Sequence, residues 1–146
     1  MPQLSFSRSV PFSAQQMLDL VADLNTYPDF VPNCSEMQLY GEVGDPLTSC
    51  DAQMYVSFGP INQSYSSEVL IDRQALSVTA KSTDNPFDYL DSMWKFTPTD
   101  AGCEINFEID FSFSNRLIAA VAEPAFVSIQ GEILDAFIAE AKRRYA

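Results

Sequence analysis

Residues 103–113 read CEINFEIDFSF, and throughout this stretch apolar and polar side chains alternate without a break. Cys103, Ile105, Phe107, Ile109, Phe111 and Phe113 stand against Glu104, Asn106, Glu108, Asp110 and Ser112. Successive side chains of a strand point to opposite faces, so the apolar set shares one face while the other meets water. A sheet built from such strands has one apolar side that another layer must cover. Beyond Asn115 the period becomes helical. Ile118, Val121 and Ala122 form a short stripe, and Phe126, Ile129, Ile133, Leu134, Phe137, Ile138 and Ala141 a longer one. That helix is the only element long enough to be the cover. Pro124 lacks the amide donor of a helical residue, which predicts a kink or break just before it.

The period of two recurs upstream. Leu4, Phe6 and Val10 alternate with Gln3, Ser5, Ser7 and Ser9, broken only at Arg8, which predicts a first strand. Ser13 followed by Gln16 reads as a capping box, and Met17, Leu18, Val21 and Leu24 continue at helical spacing to a helix end near Asn25. From about residue 35, turn signals at 41–46, 59–62, 72–75, 84–86 and 97–102 divide the chain into six strands of a meander. By alternation Met54, Val56 and Phe58 share the inward phase of one strand, Tyr65 and Val69 that of the next, and Leu90, Trp94 and Phe96 that of a third.

Between the first helix and the meander lies TYPDFVPNC, residues 26–34. Its prolines at 28 and 32 disfavour helix at the residue before each, so Tyr27 and Val31 are expected to be extended or turning. The segment is therefore a shaped loop or a single helical turn whose apolar residues, Tyr27, Phe30 and Val31, need a partner surface.

A chain of 146 residues fits one domain, residues 1–146, that buries roughly 68–70% of its unfolded surface. Eight Lys+Arg against 20 Asp+Glu leave a net charge of −12, which repels phosphate backbones and argues against direct DNA binding. Cys34, Cys50 and Cys103 are too far apart for a C-x-x-C pair and read as buried, reduced thiols. The N-terminal MPQLSFSRSV has no signal-peptide or transit character, and the apolar run at 117–122 is far short of a bilayer span. On these features the chain is expected to be cytoplasmic, at most peripheral to the inner membrane.

Catalytic chemistry has little to work with. The absence of histidine removes the Ser-His and Cys-His dyads and the commonest metal ligand. Glu104, Glu108 and Asp110 occupy the solvated phase of their strand, and Lys142, Arg143 and Arg144 lie where cations complement a helix dipole. No catalytic residue, metal site or phosphate-cradling loop is expected.

The stretches YPDFVPNC, FGPINQSYSSEV, NPFDYLDSMWKF, CEINFEIDFSFSNRL and AFIAEAKRRY together resemble the START-like polyketide cyclase superfamily. The likeness is to its branch of coenzyme-Q-binding proteins and bacterial ribosome association toxins. It covers almost the whole chain, and Y-P-x-F-V-P-x-C is its most specific motif. The resemblance implies an α+β helix-grip fold, a curved seven-stranded antiparallel sheet wrapped around a long C-terminal helix, in the order strand, two helices, six strands, helix. It further implies an apolar cavity between sheet and helix that takes a lipid, typically the prenyl chain of ubiquinone, with no cofactor beyond such a ligand. On this reading Tyr27, Phe30, Val31 and Pro32 form an apolar gate. Met54, Val56, Phe58, Tyr65, Leu90, Trp94, Phe96, Phe107, Phe111, Ile129, Ile133 and Phe137 line the interior. Asn33 stands where relatives are expected to carry a bulky aromatic, which would make the mouth more polar. The implied function is non-catalytic binding of a prenylated quinone in support of quinone biosynthesis or respiration. The alternative from the same resemblance is a ribosome-binding inhibitor of translation, a partner that the charge of −12 disfavours.

Overall fold

The computed structural model describes residues 3–44, 46–58 and 61–145. Strand β1 (Gln3–Val10) leads into α1 (Ala14–Ala22), a 3₁₀ turn (Leu24–Thr26) and the single-turn α2 (Tyr27–Phe30). The meander follows: β2 (Cys34–Val43), β3 (Ser49–Phe58), β4 (Ile61–Asp72), β5 (Ser77–Ser82), β6 (Phe87–Thr99) and β7 (Gly102–Phe113), closed by α3 (Arg116–Tyr145). The strands form one antiparallel sheet in the order β1-β7-β6-β5-β4-β3-β2. The expected turn at residues 59–62 falls partly on Gly59 and Pro60, and that at 41–46 partly on Asp45, outside the described residues.

Local chemistry accounts for the element ends. Ser13 Oγ accepts a hydrogen bond from the Gln16 amide at 3.0 Å, and Gln16 Oε1 accepts one from the Ser13 amide at 3.0 Å, completing the capping box. Asn115 Oδ1 caps α3 by accepting from the amides of Leu117 (2.8 Å) and Ile118 (3.3 Å). Gly102 opens β7 so close to the first strand that a Cβ there would lie 2.2 Å from the Val10 carbonyl oxygen, which only glycine avoids. Register shifts in β2 and between Phe87 and Tyr89 in β6 are bulges, which add twist and help the sheet curl around α3.

Three local expectations are corrected. α3 runs unbroken through Pro124. The backbone carbonyl that loses its helical donor to Pro124 belongs to Ala120, and Ala120 and Pro124 both lie on the exposed side, where solvent is available to replace the bond. Tyr27 is helical (φ −52°, ψ −43°) although it precedes Pro28, because the preceding 3₁₀ turn delivers the chain already helical and proline is favoured in a first turn. Val31 is extended (φ −77°, ψ 123°), as the sequence predicts. Val121 does not join the buried stripe: with Leu117, four residues earlier, it faces away from the sheet, while Ala122 and Phe126 turn inward.

By length and apolarity alone α3 is long enough to cross a bilayer. In the fold its buried face, including Phe126, Ile129, Leu134 and Phe137, belongs to the same core as the inward side chains of the sheet.

Candidate ligand cavity

Two aromatic clusters tie the helix to the sheet, and between them, beside the point where Gly131 packs next to Phe6, a gap remains. Near its C-terminal half, α3 presents Phe137, whose ring makes edge contacts with Trp94 (5.0 Å between centroids), Tyr27 (5.2 Å) and Phe30 (5.1 Å); Trp94 in turn stacks on Phe107 at 4.4 Å. Three turns earlier Phe126 enters a second aromatic cluster, 4.5 Å from Phe111, 5.1 Å from Phe58 and 5.4 Å from Phe87. The helix between these anchors carries Ile129, Gln130 and Ile133.

The sheet beneath that middle section is built from small side chains. Val69, Ala80, Ser92 and Ile109 are successive partners across β4 to β7, and Ala52 pairs with Ser67 across β3 and β4. Alanine and serine do not reach the helix, so a cavity of about 140 Å³ remains. The volume approaches the roughly 150 Å³ of a dry, apolar protein cavity that accepts benzene. Leu24, Tyr27, Val31, Pro32 and Asn33 close one side of it.

Of the residues expected at the site, the wall contains Tyr27, Val31, Pro32, Met54, Val56, Phe58, Tyr65, Leu90, Trp94, Phe107, Ile129, Ile133 and Phe137. It does not contain Phe30, Phe96 or Phe111. Phe30 forms an outer layer behind Tyr27 and Phe137, with the Arg144 guanidinium 5.9 Å above its ring. Phe96 stacks on Trp94 at 6.3 Å, and Phe111 is enclosed with Phe126; both are ordinary core. Strand phase puts these two on the inner face, but position along the strand decides whether an inner residue meets the void.

The wall also includes residues that the sequence reading passed over, among them Met37, Ala52, Ser67, Val78, Ala80, Ser92, Ile109, Phe126 and Gln130. Ser67, Ala80 and Ser92 have the inward phase of their strands, and Gln130 lies one turn from Phe126 on the apolar stripe, so each had a readable position. Their small size or polarity hid them. Asn33 lines the mouth with a left-handed backbone (φ 67°), a conformation asparagine tolerates better than an aromatic residue, and its Nδ2 donates to the Ser57 carbonyl at 2.6 Å.

Among the described residues the wall carries no carboxylate, ammonium or guanidinium group. Its tyrosines are held neutral. Tyr27 donates its hydroxyl to the Val21 carbonyl at 2.5 Å, and burial first, then the Cys34 thiol, drives its pKa far upward. Burial does the same to Tyr65, whose hydroxyl points at Met54 Sδ at 3.7 Å. All three cysteines are free and buried, and burial pushes the Cys34 thiol up to about 11 against the opposing hydrogen bond to the Glu36 carbonyl.

An ion-pair network holds the end of α3 over the gate segment. Glu140, only 7% exposed, accepts from Arg143 Nη2 (2.5 Å) and Arg144 Nε (2.7 Å); Arg144 also reaches Asp23 Oδ2 and Thr26 Oγ1, each at 3.2 Å. The Arg143 hydrogen bond above all, with Arg144, outweighs burial and holds the Glu140 carboxyl at about 2, below its ordinary 4.5. A depressed carboxylate pKa stabilises the fold above the unfolded value, and that contribution disappears as pH falls from about 4.5 through about 2. Thermal melts of wild type and Glu140→Gln are therefore expected to differ at pH 7 and to converge across that window. A constant difference down to pH 2 would show that the network carries no such linkage.

The chain belongs to the polyketide cyclase / dehydrase and lipid transport family, whose sequence model matches residues 10–138. It is 33% identical to the ribosome association toxin RatA of Escherichia coli K12 over 147 aligned residues, covering 100% of this chain and 90% of that protein. It is 29% identical to the mitochondrial coenzyme Q-binding protein COQ10 of Drosophila melanogaster over 139 residues, covering 92% of this chain and 56% of that protein. The fold matches the ZhuI aromatase/cyclase of Streptomyces sp. R1128 with a TM-score of 0.84 at 16% identity, over 99% of this chain and 96% of that one. The chain thus resembles a toxin and a coenzyme Q-binding protein in sequence and an aromatase/cyclase in fold.

Proposed function

We propose that this protein is a non-catalytic carrier that holds an apolar molecule, a prenylated quinone, between its sheet and α3, and supports quinone biosynthesis or respiratory electron transport. The observation that carries this reading is the apolar cavity of about 140 Å³, closed by aromatic anchors and free of charged groups among the described residues. Each buried CH₂ of a ligand contributes about 0.8 kcal/mol, so a ring and its first isoprene carbons suffice for useful affinity without any charged contact. The cavity takes one ring; a longer prenyl chain leaves past Tyr27, Val31 and Pro32. Similarity to a coenzyme Q-binding protein across 92% of the chain supports the ligand class. Contact with the membrane is peripheral on this reading, with delivery from the cytoplasm.

The full-length likeness to ribosome association toxins favours a second reading, in which the protein binds the ribosome and inhibits translation. The charge of −12 argues that any such contact is made through protein or bridging cations rather than directly to RNA phosphates. Native mass spectrometry of the isolated protein, followed by lipid extraction, separates the two. A co-purifying or exchangeable prenylated quinone is expected. Protein that stays empty when offered quinones and cosediments with ribosomal subunits would overturn the carrier reading.

A further inference from the structure

Gln130 is out of character in its surroundings. It is 3% exposed, it sits on the helix face that roofs the cavity between Ile129 and Ile133, and among the described residues it is the only amide side chain there besides Asn33 at the mouth. Its Nε2 donates to the Phe126 carbonyl at 3.1 Å. That bond fixes the orientation of the amide, because a flip would set Oε1 against the Phe126 carbonyl, two acceptors facing each other. Among the described residues no hydrogen bond reaches Oε1, and no fully enclosed side-chain nitrogen or oxygen lacks a partner, so Oε1 is not fully enclosed; on a side chain that is 3% exposed and lines the cavity, the surface open to it is the cavity's. An acceptor that faces an apolar cavity is poorly solvated, and a ligand able to donate to it supplies the missing hydrogen bond. Ser67 and Ser92 line the opposite wall, and their hydroxyls can donate or accept.

We infer that Gln130 selects an apolar ligand that donates a hydrogen bond, a ring or chain bearing a hydroxyl, so that of a quinone–hydroquinone couple the cavity holds the hydroquinone. This rests on the reading of the cavity as a lipid site. A quinone offers only acceptor oxygens, which Oε1 repels. The hydroquinone offers an O–H to Oε1 and a second oxygen to the serines. Ser67 and Ser92 serve either form, so the discrimination belongs to Gln130.

The test uses p-cresol and p-xylene, one-ring probes that differ by a hydroxyl in place of a methyl, titrated by calorimetry into wild type, Gln130→Leu and Gln130→Met. Loss of one hydrogen bond is expected to raise the p-cresol Kd about fivefold in the variants while the p-xylene Kd stays level or falls. Variants that weaken p-cresol no more than p-xylene overturn the inference and leave the apolar cavity standing. Failure of wild type to bind either probe removes the lipid-site reading and the inference with it. Should both variants fail to fold, wild type alone decides: tetramethylhydroquinone, kept reduced, is expected to bind about fivefold more tightly than tetramethylbenzoquinone, and equal affinity overturns the inference.

Discussion

Phe137→Ala is expected to destabilise the protein by about 3–5 kcal/mol, the range for removing a fully buried phenylalanine. The ring is 1% exposed and joins helix, sheet and gate, touching Trp94 on β6, Tyr27 and Phe30 on α2, and the cavity. Trp94 and Tyr27 are held from other sides, by Phe107 and by the Val21 carbonyl, so the site cannot collapse fully and a void remains. For a chain of this size the melting temperature should fall by roughly 10 °C or more. The vacated volume adjoins the cavity, so the variant should still bind ring-sized apolar probes below its melting point. A loss of less than about 1 kcal/mol in a thermal or urea melt would mean that Phe137 does not anchor the helix as its contacts indicate.

The fold was legible because nearly every strand and both main helices state their period. The eleven-residue alternation at 103–113 and the turn signals place the strands of the meander, and the Ser13–Gln16 box places the start of the first helix, which ends at Ala22 with a 3₁₀ turn following rather than near Asn25. What the sequence did not show follows from the third dimension. Pro124 reads as a helix breaker until Ala120 is seen to face solvent. Val121 reads as stripe until the helix is oriented. Of the shaped loop or single helical turn expected for residues 26–34, the structure has the helical turn at Tyr27–Phe30, yet Phe30 within it supports the cavity from outside, and Asn33 after it is explained by a left-handed backbone. The cavity itself is made by residues that do too little: Ala52, Ser67, Ala80 and Ser92 leave space because they are small, whereas a reading that searches for apolar bulk selects Phe96 and Phe111, which fill space. Gln130 was visible as a polar residue on an apolar stripe, but its meaning depends on where the Phe126 carbonyl and the void lie.

Filling the void is expected to affect ligand binding more than any other single change. Ala80 lies mid-sheet between Val69 and Ser92, on the cavity wall opposite α3. Ala80→Leu adds three carbons to the empty space, each contributing up to about 0.8 kcal/mol, so the variant should melt at or above the wild-type temperature. The same carbons occupy the volume that a ligand ring needs, and close-packed interiors do not yield it, so affinity should fall at least about tenfold. Trp94 is the only tryptophan in the chain and lines the cavity, which makes its fluorescence a local reporter. The decisive measurement is therefore a titration of wild type and Ala80→Leu with a short-chain ubiquinone, in its oxidised and reduced forms, read through Trp94 emission. Saturable quenching in wild type, lost or shifted at least about tenfold in an Ala80→Leu protein with a native melt, is the predicted result. No saturable response from wild type with either form, or identical titrations for the two proteins, would contradict ligand binding in this cavity.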